Sequence, residues 1–215
     1  MLDVVLFDVD GTLVDTNGII VQAFHETLLD MRGEDVPMAQ LRTILGVAGL
    51  ETTREYTDSE AEAEQMLARW AGRTDELSDQ TDLFGGVVDL LTALTGRGLR
   101  LGIVTSRLDW ELERDVARFG LDRYFDTMVT ASDTVRHKPA ADPVEEALRR
   151  LAAPPEAAVY VGDSVYDMGT AVAAGVPFGL ATWGAHDLSR FTQVDVTLEE
   201  PGDLLAYVQR RNAGD

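Results

Sequence analysis

Short apolar runs, many of them β-branched, recur along the chain between stretches whose apolar positions return every three or four residues. Residues 4–7, 100–104, 127–130, 158–161 and 178–182 have the length and composition of buried strands, and 194–198 reads as a short edge strand. Helical spacing covers 87–95, 110–119, 143–151 and 167–174. Asp142 followed by Pro143 predicts an N-cap and first helical residue, and Gly120 and Gly175 fall where left-handed C-terminal caps belong. Strands alternating with helices predict an α/β fold, a Rossmann-like, doubly wound parallel sheet with helices on both faces.

Between the first and second strands the alternation lapses. No strand run occurs from residue 15 to 84, whereas Ile20, Phe24, Leu28 and Met31 share one helical face. A second helix is expected from Glu60, with acidic residues early and Arg69 late, the arrangement the helix dipole favours. Gly33, Pro37, Gly46 and Gly49 punctuate the interval. The expected organisation is a discontinuous core, residues 1–14 and 85–215, with an all-helical insertion at 15–84.

The 215 residues, 45% hydrophobic, suffice for one core plus a small accessory unit. The segment Met1–Val5 lacks a basic stretch followed by a long apolar run, which sets the expected location as cytoplasmic. The absence of cysteine excludes thiolate metal sites and disulfides. A formal charge of −20 repels nucleic acid and anionic membrane, so neither is an expected partner; the assembly is expected to be a monomer or homodimer. The same charge requires a local cation and basic groups wherever a phosphate binds. Among the 18 basic residues Lys138 is the only lysine, a compact ammonium in a chain that otherwise uses guanidinium.

In an open parallel sheet, ligands bind beyond the carboxyl ends of the strands. There the chain carries Asp8-Val9-Asp10-Gly11-Thr12, then Thr105-Ser106, then Lys138, then Gly162-Asp163-Ser164 with Asp167 one turn on. Each motif alone fits a turn or a helix cap. In this order, each after a strand, they describe one crevice. Its carboxylates would repel one another unless a hard cation joined them, and an all-oxygen ligand set points to magnesium. The cation and Lys138 would neutralise a phosphoryl group, and Thr105 would donate to it. Asp8 could then attack phosphorus in line to form an aspartyl phosphate that water hydrolyses, with Asp10 as acid and base.

These four motifs resemble those of the haloacid dehalogenase-like superfamily over nearly the whole chain. The resemblance implies a magnesium-dependent phosphatase acting on a small phosphorylated metabolite. Asp8 would be the nucleophile and Asp10 the acid/base. Thr105, Lys138 and Ser106 would hold phosphate; Asp8, the Asp10 carbonyl and Asp163 would hold the metal, and Asp167 would orient Lys138 or a metal-bound water. The insertion looks like a type-one cap, whose closure would exclude water. Residues 15–20 and 101–106 look nearest the phosphoglycolate phosphatase and pyrophosphatase branch. Dehalogenases usually lack the second aspartate, which is present here as Asp10. Substrate choice is expected in the insertion, at Gly46 and Val47 in a glycine-bounded loop and at Arg54. A β-phosphoglucomutase-type phosphomutase, and a phospho-accepting or ligand-binding module without turnover, are the alternatives.

Overall fold

A computed structural model describes residues 1–214. The chain divides into two compact units, Met1–Val14 together with Leu83 onward, and Asp15–Asp82. The chain returns to the first unit at Leu83. Leu83 bridges back to Val14, and the Phe84 N–H donates to the Leu13 carbonyl at 3.0 Å, so this segment is stitched to the residues after the first strand.

The strands are β1 (Val4–Phe7), β2 (Arg100–Val104), β3 (Thr127–Val129), β4 (Ala158–Gly162), β5 (Phe178–Ala181) and β6 (Val196–Leu198). The helices are α1 (Asn17–Arg32), α2 (Met38–Leu41), α3 (Gly49–Arg54), α4 (Glu60–Glu76), α5 (Val87–Gly96), α6 (Asp109–Phe119), α7 (Asp142–Leu151), α8 (Val165–Ala174) and α9 (Asp203–Ala213). The six strands run in the order β3-β2-β1-β4-β5-β6, every adjacent pair parallel. The chain therefore builds outward from β1 on one side and then crosses over it to β4. That reversal opens a crevice at the carboxyl ends of the central strands.

β1 is buried on both faces because its side chains alternate. Val5 and Phe7 pack with Leu90 and Leu94 of α5, Leu112 of α6 and Leu204 of α9. Val4 and Leu6 pack with Val144 and Leu148 of α7 and Ala171 of α8. A two-faced strand of this kind reads as an unbroken apolar run, as Val4–Phe7 does. Gly120 and Gly175 close α6 and α8 in the left-handed conformation, as expected. Asp142 departs from expectation: it is the first helical residue of α7, not its cap, and its carboxylate pairs with Arg136.

The second unit is helical throughout. Val21, Phe24 and Leu28 of α1 pack against Met66 and Trp70 of α4, with Leu41, Ile44 and Leu45 completing the core. Phe24 lies 5.1 Å from the Tyr56 ring centre and 4.7 Å from that of Trp70, whose indole N–H donates to the Ile20 carbonyl. Ser59 caps α4 by accepting the Glu62 N–H.

Candidate active site

Asp8 is the first residue past β1. Its N–H donates to the Val161 carbonyl at 2.9 Å, prolonging the pairing with β4 and fixing where the side chain leaves the sheet. The chain then turns sharply, with the N–H groups of Thr12, Leu13 and Val14 all converging on the Val9 carbonyl. Gly11 permits that turn at a φ of +75°, and a Cβ here would lie 2.1 Å from Asp163 Oδ2. Glycine is thus required twice at this position, for its backbone and for the carboxylate pressed against it.

Thr105 follows β2 in the same way, its N–H donating to the Val129 carbonyl at 3.0 Å, and it is buried. Asp163 follows β4, and Ser164 caps α8 in a reciprocal box with Asp167. Gly162 lets that first turn fold back on the strand, since a Cβ there would lie 2.5 Å from Asp167 Cγ. Lys138 arrives from the loop between β3 and α7. The next residue, Pro139, rests on Gly169 of α8, where a Cβ would approach the proline ring to 2.8 Å.

These elements bring Asp8, Lys138, Asp163 and Asp167 together. Lys138 Nζ donates at 2.6 Å to Asp8 Oδ1 and at 2.6 Å to Asp167 Oδ1, and it lies 5.3 Å from the centre of the Tyr160 ring. Asp167 is saturated with donors. Its Oδ1 also accepts from the Tyr160 hydroxyl at 2.8 Å, and its Oδ2 accepts from the Ser164 N–H at 3.0 Å and hydroxyl at 2.5 Å. Asp163 accepts from Thr12 Oγ1 at 3.2 Å.

Burial pushes the Asp8 carboxyl up to about 7, the Asp167 and Asp10 charges add to that rise, and Lys138 opposes it. Asp163 is held well above the usual carboxylate range by burial and by the charges of Asp167 and Asp8. Burial works against the Lys138 ammonium, but Asp167 and Asp8 outweigh it and hold the group charged. The site has more buried negative charge than its one ammonium balances.

Asp8, Asp163 and Asp167 each bring a carboxylate oxygen within 4.8 Å of the others, a set that fits a hard divalent cation. With Asp167 taken up by Lys138, Tyr160 and Ser164, Asp8 and Asp163 have the greater remaining capacity. Ser106 is exposed. Gly46, Val47 and Arg54 belong to the helical unit: Gly46 turns the chain before α3 at a φ of +71°, Val47 is half-buried, and Arg54 is exposed and pairs with Glu60.

The Asp10 side chain holds a feature not expected from sequence. Its two oxygens accept from Arg107 Nε at 2.8 Å and Nη2 at 2.7 Å, a bidentate pair. Arg107 Nη1 donates to Asp115 of α6, which is only 1% exposed. The available signal was an aspartate on the inner face of a helix beside Leu112, two turns after a basic residue.

Residues 5–181 match the haloacid dehalogenase-like hydrolase family. The chain belongs to this family. A pyrophosphatase of Listeria monocytogenes, PpaX, is 32% identical over 213 residues, covering 95% of each chain. A Lactobacillus plantarum protein described as a phosphoglycolate phosphatase superposes with a TM-score of 0.87 at 30% identity, covering 96% of this chain and 99% of that one. CbbY of Rhodobacter sphaeroides, solved in complex with xylulose-1,5-bisphosphate, gives 0.75 at 25% identity, covering 95% and 96%. This haloacid dehalogenase-like hydrolase is an enzyme of the phosphatase type. Among its described residues no helix is long and apolar enough to cross a membrane.

Proposed function

We propose that this protein is a magnesium-dependent phosphohydrolase of small phosphorylated metabolites, phosphoglycolate- or pyrophosphate-like, that works through an aspartyl phosphate on Asp8. The observation that carries this reading is the buried Asp8 carboxylate at the end of β1, hydrogen-bonded to the only lysine and within metal-sharing distance of Asp163. The names of its relatives support the substrate class.

Asp8, Asp163 and the Asp10 carbonyl are the ligands assigned to the metal. When bound, magnesium supplies positive charge that keeps these carboxylates ionised and draws electrons from the phosphoryl group. Lys138 and the Thr105 hydroxyl donate to the phosphoryl oxygens, with Ser106 as a further contact, and hold phosphorus in line with Asp8. An Asp8 oxygen forms a bond to phosphorus as the bond to the leaving oxygen breaks, and Asp10 gives that oxygen a proton. Water then adds to phosphorus, passes a proton to Asp10 and displaces Asp8, which restores both aspartates and frees phosphate. Asp167 keeps the Lys138 ammonium aimed at the site. The helical unit, acting as a cap, supplies substrate selectivity through Gly46, Val47 and Arg54.

Phosphate release from p-nitrophenyl phosphate, measured with and without magnesium, tests this. Asp8→Asn should lower kcat by at least about a thousand-fold. Equal turnover by the two proteins would refute the Asp8 mechanism.

A further inference from the structure

We propose that Arg107, braced by Asp115, is a latch that holds Asp10 out of catalysis, and that turnover requires Asp10 to leave it. This rests on Asp10 being the acid and base described above. Both oxygens of Asp10 are turned onto the guanidinium fork, at 2.8 and 2.7 Å. An oxygen facing an N–H donor cannot use that lone pair to carry a proton outward, because the two hydrogens would collide. Each oxygen keeps a second lone pair, but a proton carried there would replace the charge-assisted pair with a weaker neutral one, so Asp10 serves as acid and base only at the expense of the fork. The observed pair is therefore a resting arrangement.

The fork cannot follow Asp10 when it moves. Arg107 Nη1 is tied to the buried Asp115, which Arg114 Nε also approaches at 3.4 Å. The Arg107 backbone N–H donates to Thr105 Oγ1 at 3.2 Å, and its carbonyl accepts from the Ala131 N–H at 2.9 Å. The guanidinium is thus fixed at both ends of the residue, while the Asp10 side chain is 35% exposed. Asp10 is the partner with room to move. In catalysis Arg107 touches no reacting atom; it is a positioning residue whose hold sets the fraction of enzyme with Asp10 available.

Such a latch affects only the steps that need proton transfer, so its signature depends on the leaving group. Phenyl phosphate and p-nitrophenyl phosphate share a shape, but phenolate departs poorly without a proton and p-nitrophenolate departs readily. The test compares the ratio of kcat/KM for phenyl phosphate to that for p-nitrophenyl phosphate, with magnesium present. Arg107→Lys, which replaces a two-bond fork with at most one bond, should raise this ratio about three- to ten-fold. Asp10→Asn should lower it by about ten-fold or more. A loss shared equally by both substrates in Arg107→Lys would mean a structural role and overturn the latch. An unchanged or lowered ratio would overturn it too, the latter showing that Arg107 holds Asp10 in its working position. If Arg107→Lys does not fold by circular dichroism, Arg107→Gln, which keeps a donor for Asp115, is read by the same criteria. If Asp10→Asn slows both substrates alike, the acid/base role of Asp10 fails and the latch with it. If the unmodified protein releases phosphate from neither substrate, the proposed function itself fails.

Discussion

Replacing Asp8 by asparagine should make the metal-free protein more stable while removing its activity. Asp8 ionises in the folded state only near pH 7, against 3.8 for an unperturbed aspartate, chiefly because it is buried and because Asp167 stands close by. Between those values the folded chain holds a proton that the unfolded chain has lost. Stability therefore falls as pH rises from about 4 to about 7, and the whole penalty persists above 7. The offset corresponds to about 4 kcal/mol, an upper bound once the neighbouring carboxylates share the proton. Asparagine keeps the shape and avoids the charge, and Lys138 retains Asp167 as its counterion. Urea denaturation in EDTA should show the two proteins nearly equal near pH 4, with Asp8→Asn ahead by about 2–4 kcal/mol at pH 8. Magnesium should recover much of that difference in the unmodified protein and little in the variant, because it binds the ionised carboxylate. A variant less stable than its parent at pH 8 in EDTA, or a difference independent of pH, would refute the reasoning.

Lys138→Arg should lower kcat/KM by about a hundred-fold despite conserved charge, since the planar guanidinium cannot fit between two carboxylates each 2.6 Å from one nitrogen; steady-state kinetics decide. Tyr160→Phe removes one of the four donors on Asp167 and should cost about 1 kcal/mol in urea and lower kcat with little change in KM. Gly11→Ala meets both the φ of +75° and the Asp163 carboxylate, and should cost about 1–3 kcal/mol and weaken magnesium binding in calorimetric titration.

The legible part of this molecule is the part set by strong local rules. Each core strand is an apolar run between turn residues, and for β1 and β2 the expected limits coincide with the observed ones because a charged or hydroxylated residue ends each run. Once those strands are parallel, the residues following them must meet, so Asp8, Lys138, Asp163 and Asp167 could be grouped across more than 150 positions of sequence without any contact being known. The C-terminal helix α9 is not legible in the sequence, because its apolar positions, Leu204, Tyr207 and Val208, are sparse among polar neighbours and gain their meaning only from packing on α5 and β6.

What stayed hidden in the site is of another kind: which oxygen faces which donor. Asp10 and Asp167 look alike in sequence, each the second aspartate of a motif that follows a strand. In the fold, one is fastened by four donors from Lys138, Tyr160 and Ser164, and the other sits on the Arg107 fork with its side chain 35% exposed. Tyr160 sits in the middle of β4 and reads there as one more buried aromatic, yet its hydroxyl reaches Asp167 and its ring lies under Lys138. Strand periodicity assigns a face to such a residue but not the target of its one polar atom, because the acceptors it meets, Asp167 and the Val104 carbonyl, come from α8 and from the end of β2. The contrast between the two aspartates makes chemical sense. A group that aims a permanent charge gains from being immobilised, whereas a group that must give up a proton and take one back needs a partner it can leave.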